Sequence, residues 1–137
     1  MAILFHIEDV KKFPLERRNI KAWVKKAIEE EKHKLADVNF IFCSDEYLLD
    51  VNRQYLEHDY YTDIITFDYV EDGKVSGDIF ISCDRVVENA NTFQVGFDVE
   101  MRRMLIHGIL HLLGYKDKEL KEKELMTKKE DYYLAKY

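Results

Sequence analysis

The sequence predicts an α+β fold. The expected form is one domain over residues 1–137, a mixed four-stranded sheet with about five helices packed on it and a metal motif on a central helix. Two observations carry this. Short runs of β-branched and aromatic residues are bounded by turn residues, and two of them flank Asp72-Gly73, a strong hairpin signal. Elsewhere apolar residues recur at helical spacing, so helices and strands interleave. At 137 residues the chain is long enough for one substantial core, and it shows no repeat, linker or low-complexity tract.

Taken in order, residues 3 to 8 are apolar-rich and weakly alternating, and read as a first strand. Pro14 suits the first turn of a helix, and Ile20, Trp23, Val24, Ala27 and Ile28 carry that helix from Leu15 to about Lys34. Residues 37 to 43 read as a second strand. Ser44 is placed to cap the next helix, with Asp45 and Glu46 in its first turn, and that helix runs to about Leu56. Residues 57 to 62 are a polar loop. Residues 63 to 69 and 77 to 81 are the two arms of the hairpin. Ser82 caps a helix from about Asp84 to Phe93, which Gly96 ends. Asp98 caps a helix over about 99 to 113. The last helix runs from Lys118 to about Leu134, with Leu120, Leu125, Tyr132, Tyr133 and Leu134 as its apolar contacts.

Composition narrows the function. Net charge is −6, which argues against nucleic-acid binding through overall charge. An RNA ligand would need local basic pairs: Lys11-Lys12, Arg17-Arg18, Lys25-Lys26, Arg102-Arg103, and Lys116 with Lys118. Each pair alone reads more simply as a solvated face. Arg102-Arg103, nearest the motif described next, ranks above Lys25-Lys26. The two cysteines, Cys43 and Cys83, form no CxxC pattern and read as buried, inert thiols of a reducing cytoplasm. The first residues lack the basic start of a signal peptide, and no apolar run approaches membrane-spanning length, so no membrane partner is expected.

The chemistry concentrates in residues 107 to 117, which read His-x3-His-x5-Asp. Histidines four apart lie on one helical face, about one turn apart. Such a pair alone is weak evidence for a metal. Gly114 strengthens it, because glycine ends a helix in the left-handed conformation and lets the chain return. Asp117 is then placed to join His107 and His111. Three protein ligands with an open fourth position are the layout of a catalytic zinc site. The alternative for Asp117 is the N-cap of the last helix. Glu100, seven residues before His107, is a candidate to orient that histidine or act as a base, although a first-turn carboxylate also suits the helix dipole. Arg103, four before His107, is a candidate phosphate contact or partner of Glu100. His58 is a candidate proton donor, and His6 and His33 have no constellation around them.

Two known patterns share this spacing. Metzincin peptidases need a glutamate where Gly108 stands, which removes their general base. The other is the YbeY family of metal-dependent endoribonucleases, with the motif His-Gly-x-Leu-His-Leu-x-Gly-Tyr-Asp-His, which residues 107 to 115 resemble at every fixed position. At the end of that motif Lys116-Asp117 replaces Asp-His. The likeness extends to Asn52, Tyr55, residues 62 to 67, and Gly77-Asp78-Ile79. It departs at Leu56, where the family has arginine, and at Tyr61, where it has proline. Arg53, Lys116 and Lys118 are the cations available to replace that arginine.

The resemblance implies a cytoplasmic endoribonuclease that uses one zinc ion per chain and cuts single-stranded RNA. It further implies a role in maturing the 3′ end of 16S rRNA and in ribosome quality control, with rRNA and small-subunit components of the ribosome as partners and no DNA expected. The alternatives are a non-catalytic rRNA-binding assembly factor with a structural zinc, or another metallohydrolase such as a peptidase.

Overall fold

A computed structural model describes residues 2–137; Met1 of the expected domain lies outside them. The elements in chain order are β1 (Ala2–Ile7), α1 (Arg17–Glu30), β2 (Lys34–Cys43), α2 (Asp45–Leu56), β3 (Ile64–Asp68), β4 (Lys74–Ser82), α3 (Cys83–Phe93), α4 (Phe97–Leu112) and α5 (Leu120–Leu134). The four strands form one sheet in the order β1-β2-β4-β3. β1 runs parallel to β2 and β2 to β4, while β3 is antiparallel to β4 across the hairpin. The fold is therefore the mixed four-stranded α+β arrangement with five helices that the sequence predicts.

α1 and α4 bury Val24, Ile28, Leu105, Ile106 and Ile109 in the main core together with Phe40, Phe42, Ile79 and Ile81 of the central strands. α2 packs separately, with Leu48 and Val51 against Cys43 and Ile65. The helix signals at Ser44 and Ser82 hold: each hydroxyl accepts from a backbone N–H three residues on, Tyr47 at 3.1 Å and Arg85 at 3.2 Å.

Several boundaries differ from expectation, among them the earlier starts of β2 at Lys34 and β4 at Lys74. α1 starts at Arg17, so Pro14 and Leu15 precede it, and it stops at Glu30 rather than Lys34. Lys32 takes a φ of 65° and reverses the chain. Lys34 and Leu35 then pair with Lys74 and Val75, so strand pairing overrides the helix propensity of a Glu/Lys run. Gly96 does not end α3, because Gln94 already does so in the left-handed region with φ 54°. Gly96 instead occupies the N-cap of α4, and Asp98 falls in its first turn. The apolar stripe of α5 is also different. Leu120 and Leu125 are exposed, and the buried residues are Met126, Glu130 and Tyr133.

Candidate metal centre

α4 lies across β3 and β4, with its predicted histidines facing β3. Close approach is set at Gly108. A Cβ there would come within 2.7 Å of Ile79 Cγ2 and 3.0 Å of Ile79 Cδ1. The helix can sit this near the sheet only with glycine, and no room exists for the glutamate a peptidase would need. α4 closes on Leu113 and Gly114. Gly114 takes a φ of 103°, its N–H donates to the His111 carbonyl, and the Tyr115 N–H donates to the Leu110 carbonyl. The chain then doubles back. Tyr115 pins the returning loop by donating to Glu31 Oε1 at 2.6 Å.

This return carries Asp117 to the histidines. Asp117 Oδ2 stands 3.3 Å from His107 Nε2 and 3.2 Å from His111 Nε2, and the two Nε2 atoms are 3.1 Å apart. The competing role for Asp117 is taken by Glu119, which is the N-cap of α5 and whose N–H is received by Glu122 at 2.9 Å. Ligands about 2.1 Å from a tetrahedral ion lie about 3.4 Å from one another. Two imidazoles and a carboxylate at these separations can therefore hold a metal ion, and the three half-buried residues form one such group. They stand in a cleft of about 520 Å³ that is also lined by Thr62, Asp63, Ile64, Thr66 and Asp68.

The carboxylate that orients His107 is Glu130, which the sequence reading missed. Its Oε2 lies 2.6 Å from His107 Nδ1, while Oε1 accepts from Arg103 at 2.9 Å. Arg103 also donates to Asp131 at 2.7 Å. With a carboxylate on Nδ1, that nitrogen carries the proton and Nε2 presents its lone pair to the cleft. Burial by itself would lower the His107 pKa. The hydrogen bond and charge of Glu130, with Asp117 and Asp63 beyond, hold it above its ordinary value. The same field favours any cation at this point. A signal for Glu130 did exist: it stands between Met126 and Tyr133 at helical spacing, a glutamate on the buried stripe of a helix otherwise poor in apolar contacts.

Glu100 and Arg103 are placed differently from the three ligands. Glu100 is 4% exposed, and its side chain makes no hydrogen bond or ion pair among the described residues. It borders a second cavity with Arg103, Glu130 and Asp131, so it does not hold His107. Burial raises its pKa, against the charge of Arg103. Arg103 acts on His107 only through Glu130. Asp63 was also not singled out as a site residue, although it belongs to the matched stretch from 62 to 67; its side chain lines the cleft. Asn52 is buried and organises the neighbouring loop, donating to the Tyr60 carbonyl at 2.9 Å and accepting from the His58 N–H. His58 is exposed and stacked on Tyr60. Leu56 is 39% exposed at the end of α2. Arg53 is tied to Asp59 at 2.5 Å.

The model of the family described as Endoribonuclease YbeY matches residues 6–137. The Endoribonuclease YbeY of Parabacteroides distasonis is 50% identical over 135 residues, covering 98% of this chain and 95% of that protein. That of Cytophaga hutchinsonii is 52% identical over 134 residues, covering 97% and 94%. The solution structure of TM1509 from Thermotoga maritima superposes with a TM-score of 0.68 at 29% identity, covering 97% of this chain and 87% of that one.

Proposed function

We propose, from the premise that this chain belongs to the YbeY family of endoribonucleases, that it is a zinc-dependent endoribonuclease acting on single-stranded RNA, with rRNA its substrate. It works as one metallohydrolase domain in the cytoplasm, in the maturation of 16S rRNA 3′ ends and in ribosome quality control. Among the described residues no helix is long and apolar enough to cross a membrane.

The observation that carries the reading is the convergence of His107, His111 and Asp117, whose ligand atoms lie within 4.8 Å of one another at the wall of an open cleft. These residues would hold one zinc ion. When bound, zinc lowers the pKa of water and polarises phosphoryl oxygens. The protein's own part is positional. Glu130 keeps the His107 proton on Nδ1, and Arg103 holds Glu130 in place. Thr62, Thr66 and Asp63 line the opposite wall, where hydroxyls and a carboxylate meet the ribose-phosphate. Asp63, in the cleft, is better placed than the enclosed Glu100 to take a proton from a ribose 2′-OH or from water.

Two features favour a second reading, a non-catalytic rRNA-binding factor: the cleft lining contains no lysine or arginine, and Leu56 stands where the family resemblance leads one to expect arginine. Cleavage of single-stranded RNA by highly purified protein separates the two. Loss of cleavage on both chelation and His111→Ala supports the enzyme, and RNA binding without cleavage at full zinc occupancy supports the binding factor.

A further inference from the structure

The cleft has an electrostatic problem. Its lining carries three aspartates, Asp63, Asp68 and Asp117, and no lysine or arginine, so that even a bound zinc dication leaves the carboxylates one charge in excess. The two arginines nearest the metal ligands cannot make up the deficit. Arg103 is committed to Glu130 and Asp131. Arg102 pairs with Asp98 at 3.5 Å and lies 4.2 Å over the Tyr137 ring. A polyanionic substrate must gain its affinity elsewhere.

The chain's charge is strongly segregated. Residues 11 to 26 hold seven of its 21 lysines and arginines but only one of its 27 acids, Glu16. This stretch is therefore +6, and the remainder of the chain −12. All seven cations, Lys11, Lys12, Arg17, Arg18, Lys21, Lys25 and Lys26, are exposed. Among the described residues none of them pairs with a carboxylate. Most of the chain's other arginines do. Charges left unpaired along one stretch of an acidic protein are free to meet an external anion.

Their arrangement is regular. Arg17, Lys21 and Lys25 follow the i, i+4, i+8 row of α1, each about 6 Å further along the axis. Arg17 and Lys21 lie 5.8 and 5.9 Å from the Phe5 ring centroid, which directs them over the free edge of β1. Lys21 and Lys25 border a shallow depression at that edge with Ile3, Leu4 and Leu35. β1 and β3 are the two outer strands of the sheet, so this row and the metal cleft stand at opposite edges, about 14 Å apart by strand spacing alone.

We infer that the Arg17–Lys21–Lys25 face of α1 is an RNA-backbone anchor distinct from the metal cleft, holding phosphates of the same strand that the cleft receives. The inference rests on the RNA reading above. RNA is favoured over an acidic protein because a backbone with one negative charge per nucleotide matches a regular row of unpaired cations. It also supplies the affinity that the acidic cleft withholds.

The test uses the full chain carrying Arg17→Gln, Lys21→Gln and Lys25→Gln, which preserves helix propensity at exposed positions. The probe is a labelled single-stranded RNA long enough to span both edges, measured by anisotropy across a salt series. His111→Ala serves as background, so that binding is read without cleavage. The triple variant should bind several-fold more weakly, and its slope of log affinity against log salt should be shallower by about 2, since each lost phosphate contact on a single strand removes about 0.7. With the native histidine, cutting of a short oligonucleotide confined to the cleft should be unchanged. Unchanged affinity and slope for the long RNA would overturn the anchor, and so would equal losses for long and short RNA. Absence of cleavage in the unmodified chain would count against the nuclease reading and leave the binding comparison intact.

Discussion

Glu130 Oε2 lies 2.6 Å from His107 Nδ1, and Oε1 of the same carboxylate lies 2.9 Å from Arg103. The pair joins α5 to the metal face of α4. A carboxylate on the distal nitrogen of a ligating histidine fixes its tautomer and raises its basicity. Glu130→Gln keeps the volume and an acceptor but loses the charge. It should weaken zinc binding about tenfold, and Glu130→Ala up to about a hundredfold, roughly 1.4 to 2.8 kcal/mol. Competition with a chelating dye measures both. If zinc is held as tightly in Glu130→Ala as in the native chain, the carboxylate has only a packing role.

Asp117 now has one role to test, because Glu119 holds the N-cap of α5. Asp117→Asn should weaken zinc by at least about tenfold, or 1.4 kcal/mol, while the metal-free protein melts as before. Asp117→His should retain the ion, since imidazole is a good zinc ligand. Native-like affinity in Asp117→Asn would place the third ligand elsewhere.

The local parts of this site were legible in the sequence, and the non-local parts were not. His107 and His111 are brought together by helix geometry alone, and Gly114 signals the reversal that returns Asp117. The capping serines were likewise local. Glu130 is different. It reaches His107 across 23 positions of sequence, through the packing of α5 on α4. Its clue lay in the stripe of Met126 and Tyr133, which the more conspicuous but exposed Leu120 and Leu125 concealed. Glu100 has the right helical spacing from His107, yet spacing on one helix says nothing of what the neighbouring helix supplies. The end of α1 was misread for the same reason, since a strand partner decides where the Glu/Lys run stops.

Gly108 is a packing requirement. Gly108→Ala gains about 1 kcal/mol of helix propensity but drives a Cβ to within 2.7 Å of Ile79. Overpacking of this kind costs about 1–3 kcal/mol. The variant should be less stable in urea melts and should bind zinc more weakly, because α4 must lift from β4. A more stable variant would show that Ile79 yields without moving the helix.

Burial pushes the Cys43 thiol up to about 12 and the Cys83 thiol up to about 11. At pH 8 only about one Cys43 in ten thousand is then the reactive thiolate. Native protein should release a disulfide dye at pH 8 at least a hundredfold more slowly than protein in guanidinium. Fast native reaction at either thiol would contradict their burial.

Glu31 gives a pH dependence. Burial alone would raise its pKa, but the hydroxyls of Tyr115 and Tyr133 and the ammonium of Lys129 hold it below its ordinary value. Tyr115 and Lys129 donate at 2.6 and 3.1 Å, and Tyr133 also donates to the same carboxylate. A depressed carboxylate contributes its stability in full above the unfolded value, about 4.3. That stability is lost as pH falls through the lower folded value. Glutamine has one acceptor oxygen for these three donors and brings an N–H₂ group against them. Glu31→Gln should therefore lower the melting temperature clearly at pH 7. The gap between native and variant should narrow as pH falls below about 4, where the native carboxyl takes up its proton. Melting curves of both proteins between pH 7 and pH 3 measure this. A gap that stays constant over that range would mean that Glu31 stabilises the fold through packing and not through its charge.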